Sequence, residues 1–278
     1  MAVNLAAKYE SKVDERFKLK SLTEVAVNHD YNWAGVDTIN VYSIPTVGMN
    51  DYVKSGTNRY GTAAELDNSL QTMKLTRDRS FTFTIDRGNY QDTQMVMQAG
   101  KALARQIDEV IVPEIDKYRI ATISAAAAAN GNVEIGDVDK TNAYEAVLNG
   151  SEVLDENKAP QGGRLLYVTP GFYNLIKLDP SFIKSTEIAQ KMLVNGQVGE
   201  LDGMKVIKVP SSYFPANTPF IICHPIATVA ANKLEDYKTH DNPPGINGWL
   251  VEGRKRYDAF VLNNKADALF VHQTTTTP

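Results

Sequence analysis

Between Thr93 and Ile123, apolar residues recur in steps of three and four at Met95, Val96, Ala99, Leu103, Ile107, Val110, Ile111, Ile115 and Tyr118. Gln98, Lys101, Arg105, Asp108, Asp116 and Arg119 fill the other faces, so the spacing predicts one long amphipathic helix. At a rise of about 1.5 Å per residue it spans roughly 46 Å, whereas a compact globule of this size is only about 48 Å across. A helix that crosses its whole molecule leaves few folds open. Pro113 removes a backbone donor and crowds the turn before it, so a kink or short break is expected near Ile111-Val112, with the stripe resuming in phase at Ile115. The alanine run Ala125 to Ala129 can extend the helix, and Asn130-Gly131 offers a left-handed stop.

Ahead of the helix the period changes to two. Ile39 to Ile44 alternates, a polar segment from Asn50 to Gly61 follows, and the chain returns extended from Leu70 to Ile85, with Met73, Leu75, Phe81, Phe83 and Ile85 separated by polar residues. A run of that length is two or three times the usual strand of ~5–6 residues and outgrows a compact core. It is expected to form a long two-stranded arm that projects from the body and pairs with something else, because an isolated hairpin is marginal in water. Nearer the N-terminus, Leu5, Tyr9, Val13 and Phe17 form one helical stripe in a charge-dense segment, which is either a helix folded on its own domain or an arm lying across a neighbour.

Beyond Gly131 the pattern is mixed. Asn142 to Glu156 reads as helix, Arg164 to Val168 as strand, and Thr169-Pro170 as a helix cap with proline at the first helical position. Strands are expected at Met204 to Val209 and Phe220 to Cys223, a turn-rich link around Pro243-Pro244-Gly245, and two strands, Tyr257 to Leu262 and Ala268 to His272, returning the chain to the first lobe. The tail from Thr274 to Pro278 reads as loose.

Composition excludes several classes. Cys223 is the only cysteine, which rules out a disulfide framework or a cysteine-rich zinc site within one chain, and a net charge of −4 argues against a dominant phosphate-gripping surface. No run of eighteen apolar residues or signal-peptide pattern occurs, so neither membrane insertion nor export is expected. Cys223-His224 could hint at nucleophilic catalysis, but the preceding apolar run and Pro225 read as a strand end. His29, His240 and His272 lack metal-ligand spacing, and the Gly131/Gly136 and Gly162-Gly163 segments lack the phosphate-loop pattern. Paired acids such as Asp108-Glu109 and Glu235-Asp236 read as solvated faces. No catalytic, cofactor-binding or metal-ligating residue is assigned. The basic foci Arg77-Asp78-Arg79 and Arg254-Lys255-Arg256 either face nucleic acid or form salt bridges across subunits, and the second reading is preferred.

Five stretches, FKLKSLTEVAVNHDYNW, NRYGTAAELDNSLQTMKLTRDRSFTFTIDRGNYQDT, ALARQIDEVIVPEIDKYR, NGQVGELDGMKVIKVPSSYFP and EGRKRYDAFVLNNKADALFVH, together resemble the major capsid proteins of tailed phages with the Hong Kong 97 fold, most closely a group infecting Gram-positive hosts. The resemblance implies an α+β fold with an N-terminal arm (residues 1–35), an extended β-hairpin loop with flanking strands (36–86), the spine helix of a peripheral domain (87–131), an axial domain (132–253) whose tips meet at capsomer centres, and return strands with a flexible tail (254–278). It implies a shell of hexamers and pentamers enclosing double-stranded DNA without sequence specificity, a portal protein as partner, and assembly in the host bacterial cytoplasm into the virion. The arm leaves no room ahead of it for a built-in scaffolding segment, so a separate scaffolding protein is expected. Candidate contacts between subunits are Leu5, Tyr9, Val13, Phe17, Tyr52, Lys54, Arg59, Tyr60, Arg77 and Arg79. The rival readings are an encapsulin-type compartment of the same fold and, from another class, a soluble α+β enzyme centred on Cys223.

Overall fold

The computed structural model describes residues 21–34, 36–44, 46–63, 65–66, 69–92, 99–185 and 199–275. The stripe residues Leu5, Tyr9, Val13 and Phe17, together with Met95 and Val96, lie outside them. In chain order the elements are β1 (Thr38–Ser43), β2 (Ser69–Lys74), β3 (Arg77–Asp86), α1 (Arg87–Asp92), α2 (Ala99–Gln106), α3 (Val112–Ala129), β4 (Val133–Ile135), α4 (Ala143–Glu156), β5 (Leu165–Val168), α5 (Pro170–Leu178), α6 (Pro180–Ser185), β6 (Glu200–Leu201), β7 (Met204–Lys208), β8 (Phe220–Cys223), β9 (Thr228–Asp241), β10 (Gly248–Val261) and β11 (Leu269–Gln273).

The long helix is present. It runs without a gap from Ala99 to Ala129, about 46 Å of rise, because α2 and α3 are joined by a π-helical segment at Ile107–Ile111. Pro113 is the physical cause. It cannot donate to the carbonyl four residues back and its ring crowds that turn, so the helix widens just before it and Val112 N–H reaches Ile107 O instead. The irregularity is a wide turn rather than a break. Asn130 caps the C-terminus and Gly131 follows at φ +81°, where a side chain would be strained.

A six-stranded mixed sheet, ordered β4-β11-β8-β5-β7-β6, forms the main core. Its central strands β5 and β8 are buried along their whole length, and the period of two sends alternate residues to two faces. Leu166, Val168, Phe220, Ile222 and Phe270 pack under α4, α5 and α6, while Leu165, Tyr167, Ile221, Leu269 and Val271 pack under Ile120, Ile123 and Ala127 of α3. The end of the spine helix is therefore one outer layer of this lobe. Helix α4 approaches so closely that a Cβ at Gly150 would sit 2.7 Å from the Phe270 ring. Thr169 accepts a hydrogen bond from Phe172 N at 3.3 Å ahead of Pro170, the cap read from the sequence.

Two readings of the strands need correction. The extended run from Leu70 to Ile85 is not one strand: it divides at Leu75-Thr76 into β2, which pairs with β1, and β3, which pairs with β10 in a separate sheet ordered β3-β10-β9. The division has a cause, since Thr76 turns inward to donate through N and Oγ1 to Asp258 at 2.8 and 2.9 Å. Nor does the C-terminal pair of strands return together: β10 extends from Gly248 to Val261 beside β9, while β11 inserts into the six-stranded sheet between β4 and β8. The border expected at residue 253 falls inside β10.

Candidate functional site

The feature that separates this molecule from a self-sufficient globule is the two-stranded arm. Strands β1 and β2 pair in register from Thr38↔Lys74 to Ser43↔Ser69. Alternation places Ile39, Val41 and Met73 on the inner face, where they join Trp33, Leu75, Val229, Ala231 and Leu262 in a small third core, with the Trp33 ring stacked on Phe260 at 5.4 Å. On the outer face the cross-strand partners Tyr42 and Leu70 both point into solvent.

Past Ser43 the strand pairing ends and the apolar side chains lose their cover. Ile44 (73% exposed), Val47 (70%), Met49, Tyr52, Val53 and Tyr60 (84%) all stand open, as does Leu66 on the return. Burying apolar surface is the main favourable term in folding and association, and an exposed series of this extent marks an interaction site. The tip is nevertheless a defined structure. Val53 N donates to Arg59 O (3.0 Å), Arg59 Nε to Gly56 O (3.2 Å) and Gly61 N to Asn58 O (2.9 Å), and Tyr52 meets Tyr60 edge-on at 5.1 Å. Of the candidate contacts, then, Tyr52, Arg59 and Tyr60 come together at the tip, with Lys54 in the same turn.

Arg77 and Arg79 are spent inside the chain. The Arg77 guanidinium lies 3.9 Å above the Tyr118 ring, and Arg79 Nε bonds Glu114 Oε1 at 2.8 Å, tying β3 to the spine helix. The second basic focus is committed in the same way: Arg254 grips Asp78, Lys255 reaches Glu235, and Arg256 meets Asp37 at 2.9 Å. Asp37 also pairs with Lys233. Hydrogen bonds from Lys233 and Arg256 hold the Asp37 carboxyl below its ordinary value, and that from Arg254 does the same for Asp78. Strand alternation brings these charges side by side across β3, β10 and β9, so the basic runs expected to pair across subunits make these salt bridges within their own chain, at the root of the arm.

Two buried carboxylates escaped the sequence reading. Asp258 accepts from Thr76 and from Tyr118 Oη at 2.6 Å, joining the arm, β10 and the spine helix. Asp116 accepts from Ser21 Oγ (2.8 Å), Leu22 N (2.9 Å) and Thr23, fixing the chain where it enters the described region. Nothing local marks either one, because their partners are about a hundred residues or more away. The Cys223 thiol is fully buried, and burial alone pushes its pKa up to about 12, the reverse of a nucleophile's environment. His224 turns away to bond Gly162 O at 2.9 Å and to accept from Ile226 N. Among the described residues no metal-ligating cluster occurs, and no helix is long and apolar enough to cross a membrane.

The sequence matches a family described as phage capsid protein over residues 69–271. No curated relative matches it. Among solved structures, the capsid of cyanophage P-SCSP1u superposes with a TM-score of 0.77 at 12% identity, covering 99% of this chain and 94% of that one. A Mycobacterium phage Che8 chain gives 0.76 at 14% identity with 98% of each covered, and the bacteriophage PhiM1 mature capsid 0.73 at 12%, covering 98% and 93%. At such identities the fold is what is shared, and it is shared over nearly the full length.

Proposed function

The chain belongs to the phage capsid protein family, and on that premise we propose that its copies associate in rings of six and five and close into the icosahedral shell of a tailed phage, around double-stranded DNA held without sequence specificity. It is a structural component of the virion and not an enzyme. A separate scaffolding protein and a portal protein are its further partners, and assembly takes place in the bacterial cytoplasm. The mechanism is association rather than turnover.

One observation carries this reading: the open apolar series from Tyr42 to Leu70 is rooted in its own core yet is left uncovered by the described residues of its own chain. Laying the arm over an adjacent subunit removes that surface from water at about 25 cal/mol per Å² and shields strand edges that are otherwise prone to mispairing. The gain is offset by the ordering of the segment, which the turn at the tip already reduces. Deleting Asn50–Gly61 is expected to leave a folded, soluble subunit that forms no shells by negative-stain microscopy with scaffolding protein present; normal particles from that deletion would refute the role given to the arm. The contents of wild-type particles test the rest, since packaged DNA is required and a co-purifying protein cargo would point to a cellular compartment.

A further inference from the structure

A ring of identical subunits needs two different patches on every copy, one that gives and one that receives. The arm is the giving patch. We propose that the receiving patch is the cavity beside the π-helical turn of the spine helix, and that the phenol of Tyr60 from the adjacent copy enters it. This rests on the docking role of the arm proposed above and adds its address.

The cavity holds about 120 Å³ and is lined chiefly by Phe81, Val110, Ile111, Tyr237 and Tyr257, with Glu114 at its polar edge. That is on the order of one aromatic ring, since an apolar cavity of ~150 Å³ accepts benzene. Its walls follow from the sequence. Pro113 forces the wide turn that leaves Val110 47% exposed at the mouth. On the sheet side Gly253 stands between its register partners Phe81 and Tyr237, and a Cβ there would come within 2.2 Å of the Phe81 ring, so both rings fold over bare backbone. The Tyr237 hydroxyl is shut off from solvent beside Glu235, which is itself bonded to Lys255, and an incoming phenol gives that hydroxyl a second partner.

Shape rather than charge carries the match, since Arg79 and Lys255 also line the cavity and Glu114 is already bonded to Arg79. Tyr60 is preset for insertion, held edge-on by Tyr52 and by a turn whose Asn58 and Gly61 have φ of 58° and 88°. On its own chain it remains 84% exposed, so the complement lies on another copy.

The test uses the full chain, whose only native cysteine is buried and does not compete. Subunits carrying Tyr60→Cys are co-assembled with subunits carrying Val110→Cys, oxidised, and run on a non-reducing gel. A covalent heterodimer is expected from the mixed shells and none from either variant alone. Shells that form without the heterodimer overturn the assignment while leaving the arm's docking role intact, and that role fails separately if the Asn50–Gly61 deletion still assembles. Should the cysteine variants not assemble, Tyr60→Ala is compared with Met49→Ala: at least a ten-fold lower shell yield is expected for Tyr60→Ala, and equal yields sink the proposal.

Discussion

The six-stranded lobe and the β1–β2 arm are both built from short apolar strands, yet the lobe closes both faces of its sheet with its own helices and the arm closes only one face at its root. In β5 all four residues are buried; in β1 the outward residues Thr38, Asn40 and Tyr42 are exposed, and beyond Ser43 Ile44, Val47 and Met49 are bare as well. The lobe holds the subunit together, whereas the arm carries the open surface through which we propose that copies meet. Removing residues 50–61 should therefore abolish shells while shifting the melting temperature of the subunit very little. A large fall in melting temperature would break the comparison by showing that the tip supports the subunit itself.

The converse change belongs in the lobe. Phe220 is fully buried, stacked on Phe172 at 4.6 Å and on His272 at 5.1 Å, so Phe220→Ala should cost about 3–5 kcal/mol in denaturant unfolding. The arm's inner core should feel it only through global unfolding, which native-state hydrogen exchange of β1 and β2 amides measures. Local loosening of the arm alone would contradict the separation. Between the two regions stands Asp258. Asp258→Ala leaves Thr76 and Tyr118 without their acceptor and should cost about 1–3 kcal/mol, and it should lower shell yield as well because it loosens the arm's root from the spine. A stability loss with unchanged assembly would show that the root tolerates motion.

How much of this was legible in the sequence follows the range of the interactions involved. Local periodicity located the spine helix, β5, β8, α4 and the cap at Thr169, because each is written by residues three or four apart or by alternation within a few positions. Pro113 announced an irregularity, but a π-helical turn and a kink answer the same missing donor, so the sequence left the choice open. The division of the Leu70–Ile85 run depends on Asp258, 182 residues beyond Thr76 in sequence. Strand β9 was invisible for a related reason. Its second half, Leu234 to Asp241, is charged and shows no clean alternation, and it is held as a strand by cross-strand partners on β10 such as Lys255 with Glu235. The basic foci read as pairing across subunits, and charge alone could not show the pairs they make across neighbouring strands of their own chain.

That lattice gives the smallest effect and the most selective probe of the arm's root. Asp37 and Asp78 titrate below the ordinary carboxylate value of 3.8 in the folded chain, so the stabilisation from their cations is fully present above that value and drains away as pH falls through the depressed one. Both carboxylates are open to water, so salt should weaken the same contacts at neutral pH. Exchange protection of the β1 and β2 amides is therefore expected to fall on going from pH 7 to about 3, and more modestly in about 0.5 M salt, while β5 and β8 amides hold. Asp155 in the lobe is also depressed, by its bond to the buried Arg164, so acid alone does not isolate the root. The Asp37→Asn variant does. It should begin with weaker protection in β1 and lose less of it on acidification, and an undiminished acid response in that variant would place the sensitivity elsewhere than at the base of the arm.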